Sequence, residues 1–149
     1  RDYHFINNIK FKAMIKNNEF LEHAKVFKNF YGSSKNNVIN ILKKGENVIF
    51  DIDWQGTKQL SKFKNLKLIK IFLLPPDKME LKSRLIKRNQ DSPQEVERRF
   101  KAFDNDINHW IDYDYVIINK NLENCYKQIE EIILKNKKIQ DLSYNSVIS

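Results

Sequence analysis

Five arginines occur in the 149-residue sequence, Arg1, Arg84, Arg88, Arg98 and Arg99, and four of them fall between positions 84 and 99. The rest of the cationic surface is lysine. A planar guanidinium grips phosphate oxygens through two parallel N–H groups, which an ammonium cannot reproduce, so arginine persists where that fork is needed. The window 84–99 is therefore a phosphate-site candidate. On a helix Arg84 and Arg88, at i and i+4, share a face, and like charges there repel unless an anion lies between them. Arg98 and Arg99 point in different directions, so one of the two is expected to join the pair. Chance clustering in a basic chain is the plain alternative.

Asp51 and Asp53 close an apolar run, followed at once by Trp54-Gln55-Gly56. Two carboxylates at the carboxyl end of a parallel strand, before a glycine-containing turn, sit where an α/β enzyme binds ligand and Mg²⁺. Capping of the following helix is the other reading of the same pair. Nearer the start stand Tyr3, Glu22, Tyr31 and Ser33. A carboxylate in a mostly apolar strand can accept two N–H donors from a purine edge, and tyrosine hydroxyls can bind phosphate, although tyrosines in small lobes are usually core. His23 and His109 read as structural, the tryptophans and phenylalanines as packing, and Cys125 as buried.

Positioning these groups requires alternating strands and helices. Ile9, Phe11, Met14 and Ile15 predict a short helix, residues 20–27 a β-like run, and Tyr31-Gly32-Ser33-Ser34 a turn. A helix over 37–44 ends at Gly45, a C′ glycine. Residues 48–52, 68–74 and 115–118 are short apolar runs of the kind buried on both faces of a parallel sheet. With helices between them they predict a doubly wound α/β plan, with ligands beyond the carboxyl ends of the strands. Between the second and third runs, a helix with Met79, Leu81 and Leu85 and a break at 89–91 precede another helix. That second helix opens on Ser92, Pro93 and Glu95, a capping box. A last helix presents Leu122, Tyr126, Ile129, Ile132 and Ile133 to the core, and the chain beyond residue 139 is expected to fray.

Composition narrows the classes. With 41% hydrophobic residues, the chain supports one globular domain. The lone Cys125 excludes an internal disulfide and a cysteine-rich metal site. No run approaches the ~20 apolar residues of a membrane span, and a soluble, cytoplasmic protein is expected. A net charge of +8 favours anionic partners, and much of the lysine reads as solvated surface.

Taken together the motifs resemble those of guanylate kinases, in the same order. They are Asp2-Tyr3-His4-Phe5, Asn18-Glu19-Phe20-Leu21-Glu22, Asn29-Phe30-Tyr31-Gly32-Ser33, Asp51-Ile52-Asp53-Trp54-Gln55-Gly56, Leu74-Pro75-Pro76, Arg84-Leu85, Arg88 to Ser92, Arg99, and Tyr113 to Asn119. The resemblance runs from Asp2 to about Lys137. It implies a P-loop kinase-like doubly wound sheet with an inserted α+β GMP-binding lobe (1–36), a core (37–78 and 110–149) and a helical lid (79–109). The equivalent of Glu22 would read the guanine edge, those of Tyr3 and Tyr31 would hold the GMP phosphate, and Gly32 and Ser33 would line the pocket. Asp51 and Asp53 would lie beside GMP and magnesium-bound phosphates, touching the metal through water and not directly. Arg84, Arg88 and Arg99 would close over the transferring phosphoryl group, with Arg84, Arg88 and Asn119 on the ATP side. The implied reaction moves a phosphoryl group from ATP to GMP, with Mg²⁺ carried on ATP, and needs positioning and charge stabilisation more than covalent chemistry.

Three departures accompany the resemblance. No G-x-x-x-x-G-K-[ST] occurs, so the family's N-terminal strand, phosphate loop and following helix are expected to be absent and the chain to be an incomplete form. His23 stands for a usual tryptophan and Asn89 for a usual glycine, and Lys120-Asn121 replaces an acidic pair. The alternative from another class is a catalytically inactive guanylate-kinase-like interaction domain, but such a domain is expected to lose lid arginines or site acids, and all are present. Nucleic acid and membrane are not expected partners, since no strand face interleaves aromatic and basic residues. Oligomeric state is not readable from the sequence.

Overall fold

The computed structural model describes residues 4–26, 29–88 and 92–148, with side chains up to 137. Two compact units partition the chain, Arg1–Leu68 and Ile69–Ser149.

The first unit opens on helix α1 (Asn8–Lys16), capped by the Asn7 side chain, which accepts from Lys10 N. The helix ends with Asn18 in the left-handed region at φ 54°. Asn18 N–H and Glu19 N–H return to Ile15 O and Met14 O, each at 3.0 Å, the paired bonds that satisfy a helix's last carbonyls. Strands β1 (Phe20–Val26) and β2 (Asn29–Ser34) then pair antiparallel. Tyr31 to Ser34 therefore lie in a strand and not in the expected turn. Helix α2 (Lys35–Lys43) ends as expected, with Gly45 at φ 78° and bonds from Gly45 N to Leu42 O and Glu46 N to Ile41 O.

Residues 48–52 correct a second expectation. They have no hydrogen-bonded strand partner among the described residues. Val48, Phe50 and Ile52 pack on the cluster of Leu21, Val38 and Leu60, while Ile49 is 81% exposed. One face of the segment is covered, so the unbroken apolar run here serves a one-sided burial. Helix α3 (Trp54–Leu60) follows directly, with Leu60 in the same core.

In the second unit, β3 (Ile71–Leu74) pairs parallel with β4 (Tyr115–Ile118). Residues 68–70 precede β3 without joining it. Asp114 accepts Lys70 N at 2.8 Å and Asp112 O accepts Lys70 Nζ at 2.6 Å, so the two strands are pinned at their starts. At their other end Asn119 N donates to Leu74 O over 2.7 Å. Between them run α4 (Lys78–Lys87), capped by Asp77, α5 (Pro93–Asp106) and a 3₁₀ turn (Ile107–Asp112). Lys78 pairs with Asp104 between the two helices. Ser92 caps α5 by accepting Glu95 N at 3.3 Å, but the Glu95 carboxylate turns to arginines, so the reciprocal half of the expected capping box is not made.

Helix α6 (Leu122–Ile148) starts on the Asn121 side chain, which accepts Asn124 N at 2.9 Å. It continues through the segment expected to fray. Its inner stripe is Cys125, 4% exposed, with the half-buried Ile129, Ile132, Ile133 and Asn136, while Leu122 and Tyr126 are exposed. The buried stripe is thus displaced by one residue from the expected one at the first turn, because Cys125, Ile129 and Ile132 recur at helical spacing as well as Tyr126 does.

Candidate functional site

In the first unit the site is built on the β1–β2 hairpin. Phe20, Leu21 and Glu22 are buried in succession, and the register slips between Phe20 and Glu22. Phe20 stacks on Phe11 with ring centroids 4.6 Å apart. Glu22, 6% exposed, accepts the Ser33 hydroxyl at Oε1 over 2.6 Å, from the residue paired with it across the ladder. Gly32 faces His23, and a Cβ there would come within 2.8 Å of two Phe20 ring carbons. Only a residue without a side chain lets the Phe20 ring lie against the strand at that point. Tyr31 is exposed and pairs with Ala24. Tyr3 lies outside the described residues.

The two aspartates differ. Both are exposed, and Asp53 accepts Gly56 N at 2.9 Å as the N-cap of α3, so the capping reading holds for Asp53. Gly56 is also where Glu22 and Asp53 converge, since Glu22 Oε2 lies 3.3 Å from the position a Cβ of Gly56 would take. Further along α3, the Gln59 side chain bonds both backbone groups of His23, a contact that composition and spacing did not suggest.

In the second unit a cleft of about 510 Å³ lies at the carboxyl ends of β3 and β4, walled by Leu73, Leu74, Pro75, Arg84, Arg88 and Asn119, among others. Arg84 is fixed there by three donors: Nε to Glu80 Oε1 at 2.7 Å, Nη1 to Asn119 O at 2.9 Å and Nη2 to Lys120 O at 3.1 Å. Arg88, at the end of α4, is exposed, and its side chain forms no hydrogen bond or ion pair among the described residues, while its backbone N–H donates to Arg84 O at 3.1 Å. Arg84, Arg88 and Asn119 thus share one cleft, as their spacing predicted for the first two.

Arg99 is placed elsewhere in this unit. Glu95, 5% exposed, accepts Arg98 Nε and Nη2 at 2.9 and 2.5 Å and Arg99 Nε at 3.2 Å. Both arginines reach it because i+3 and i+4 are the neighbours of a helical residue. The Arg98 guanidinium, and after it Arg99, hold the Glu95 carboxyl below its ordinary value against the opposing effect of burial. Among the described residues no cluster of three or more His, Cys, Asp or Glu could hold a metal, and no helix is long and apolar enough to cross a membrane.

Residues 1–136 match the guanylate kinase family model. The chain belongs to the guanylate kinase family. It is 42% identical over 133 residues to a guanylate kinase of Paramagnetospirillum magneticum, covering 89% of this chain and 62% of that protein. A guanylate kinase of Bartonella henselae is 44% identical over 132 residues, covering 89% of this chain and 60% of the relative. The chain therefore spans about three fifths of the length of the curated relatives it matches. The crystal structure of guanylate kinase from Anaplasma phagocytophilum superposes with a TM-score of 0.73 at 32% identity, over 91% of this chain and 65% of that one. The fold of this guanylate kinase family chain is accordingly α/β of the P-loop kinase type. The matched span takes in every site residue read from the sequence, from Tyr3 to Asn119.

Proposed function

We propose that this chain belongs to an enzyme that transfers a phosphoryl group from ATP to GMP, giving ADP and GDP, and that its first unit recognises the guanine. The observation that carries the reading is the buried Glu22 carboxylate with the Ser33 hydroxyl on Oε1. Guanine presents two adjacent donors, N1–H and the 2-amino group, and an ionised carboxylate is an acceptor-only partner for both. Bonds to a fixed, desolvated carboxylate are strong and selective, because a purine that lacks a donor leaves an acceptor unpaired. Gly32 and Ser33 line this pocket, and Tyr31 and Tyr3 hold the GMP phosphate.

Arg84, Arg88 and Arg99 supply positive charge to the phosphoryl groups, with Asn119 on the ATP side. Phosphoryl transfer asks for little beyond alignment and charge stabilisation. Asp51 and Asp53, exposed at the approach to α3, suit a hydrated Mg²⁺ brought in on ATP, an ion that keeps several waters and would neutralise phosphate charge there. Soluble nucleotide substrates make a cytoplasmic location part of the same reading.

Incubation of the complete gene product with ATP, GMP and Mg²⁺ is expected to yield ADP and GDP, read by nucleotide chromatography. No GDP from folded protein overturns the reading. The 149-residue chain carries no G-x-x-x-x-G-K-[ST] motif and by itself is expected to show negligible ATP turnover, so GMP binding is the property to measure on it.

A further inference from the structure

We propose that Gln59 is a positioning residue for the guanine-recognising carboxylate of Glu22, an inference that rests on the GMP reading above. The Gln59 side-chain amide accepts His23 N–H at Oε1 and donates from Nε2 to His23 O, each over 3.0 Å. This is the pairing a neighbouring strand would make, supplied by one side chain of helix α3. The His23 N–H belongs to the peptide unit that follows Glu22, so holding it fixes the plane from which the Glu22 side chain departs.

The strand needs that help at this position. The β1–β2 register is irregular between Phe20 and Glu22, so the ladder alone defines the orientation of Glu22 less tightly than that of a residue in a regular pair. The same helix closes on Glu22 from the side. Gly56 and Gln59, three apart on α3, share a face, and Glu22 Oε2 lies 3.3 Å from where a Gly56 Cβ would be. Leu60, 4% exposed, anchors that face in the core with Leu21, the residue before Glu22. Glu22 is thus held by Ser33 from β2 and by the Gln59 clasp on its own strand, with Gly56 beside its Oε2.

The consequence is specific to the base. A carboxylate that drifts loses two donors of guanine but one of hypoxanthine, which keeps N1–H and lacks the 2-amino group. The test measures binding of GMP and of IMP to the complete gene product by calorimetry, for the unaltered protein and for Gln59→Ala and Gln59→Glu. The glutamate variant keeps the side-chain length and the acceptor for His23 N while setting a carboxylate against His23 O. Lys58→Ala, on the exposed face of α3, serves as the control. Both Gln59 variants, with native circular dichroism, are expected to lose about fivefold to tenfold in GMP affinity and distinctly less for IMP, so that the GMP:IMP ratio falls. The control should keep the ratio. Equal losses for both nucleotides, or an unchanged ratio, overturn the positioning role while leaving GMP recognition intact. If the unaltered complete gene product binds no GMP at millimolar concentration, the functional reading itself fails, and the positioning role falls with it.

Discussion

Ser33 Oγ lies 2.6 Å from Glu22 Oε1, and the two residues face each other across the β1–β2 ladder. The hydroxyl gives a buried carboxylate a fixed donor, which reduces the cost of desolvating the charge and leaves the rest of the group for a ligand. Ser33→Ala is expected to destabilise the first unit by about 1–3 kcal/mol, because the acceptor stays buried without this donor. Ser33→Thr, which keeps the hydroxyl, should lose less. Urea unfolding of the three proteins checks the order, and GMP affinity should fall in the same order.

Gly32→Ala is expected to be costly for a steric reason. Its Cβ would meet the Phe20 ring at 2.8 Å and Glu22 O at 3.2 Å. The ring cannot swing away freely, since it is buried and stacked on Phe11. A loss of roughly 1–3 kcal/mol is expected, as for overpacked cores. A melting temperature within experimental error of the parent would show that the hairpin yields more easily than the packing implies.

Arg84 and Arg88 share a cleft but should respond differently to truncation. Arg84→Ala removes a fork that ties α4 to Asn119 O and Lys120 O, and should lower both melting temperature and kcat. Lysine at this position should not restore stability, since one ammonium cannot span two carbonyls as the guanidinium does. Arg88→Ala, with no side-chain bond or ion pair among the described residues to lose, should lower kcat with stability within about 0.5 kcal/mol of the parent. Kinetics on the complete gene product, with thermal melts beside them, separate the two. An Arg88→Ala effect on the Michaelis constant for GMP alone would contradict the assignment to the phosphoryl groups.

Glu95 predicts a pH dependence with a definite sign. Its folded-state carboxyl is held below the ordinary value of 4.5, first by Arg98 and then by Arg99. In the unfolded chain the group takes protons first, so this contribution is complete above the unfolded value and is lost as pH falls through the folded one. The stability difference between the parent and Glu95→Gln should therefore be largest near neutrality and shrink as pH falls below the ordinary carboxyl value of 4.5 and through the lowered folded-state value. A difference that stays constant over that range would place the stabilisation in packing and not in charge.

The local structure around these sites was largely legible. Ser92 and Pro93 mark the start of α5, Gly45 ends α2, and the 115–118 run is a strand, because caps and short apolar runs report backbone demands met within a few residues. Arg84 and Arg88 reach one cleft because helical spacing is a local property. The errors fall where a competing partner decides. Tyr31 to Ser34 carry a glycine and two serines that suit a turn, yet β1 pairs with them and makes them a strand. Glu95 satisfies the rule for a capping box, but Arg98 and Arg99 compete for its carboxylate and hold it.

The sequence by itself determined the family, the order of the motifs and the residue types at the site, since side-chain chemistry and short-range spacing are written along the chain. Tertiary structure alone decided what those groups do to one another. That Glu22 is buried, that Ser33 rather than solvent faces it, and that Gln59 clasps the strand 36 positions earlier depend on pairings between residues far apart in sequence. Such contacts form when the chain buries Leu21, Val38 and Leu60 together, and the hydrophobic drive for that burial carries no address for the polar groups brought along.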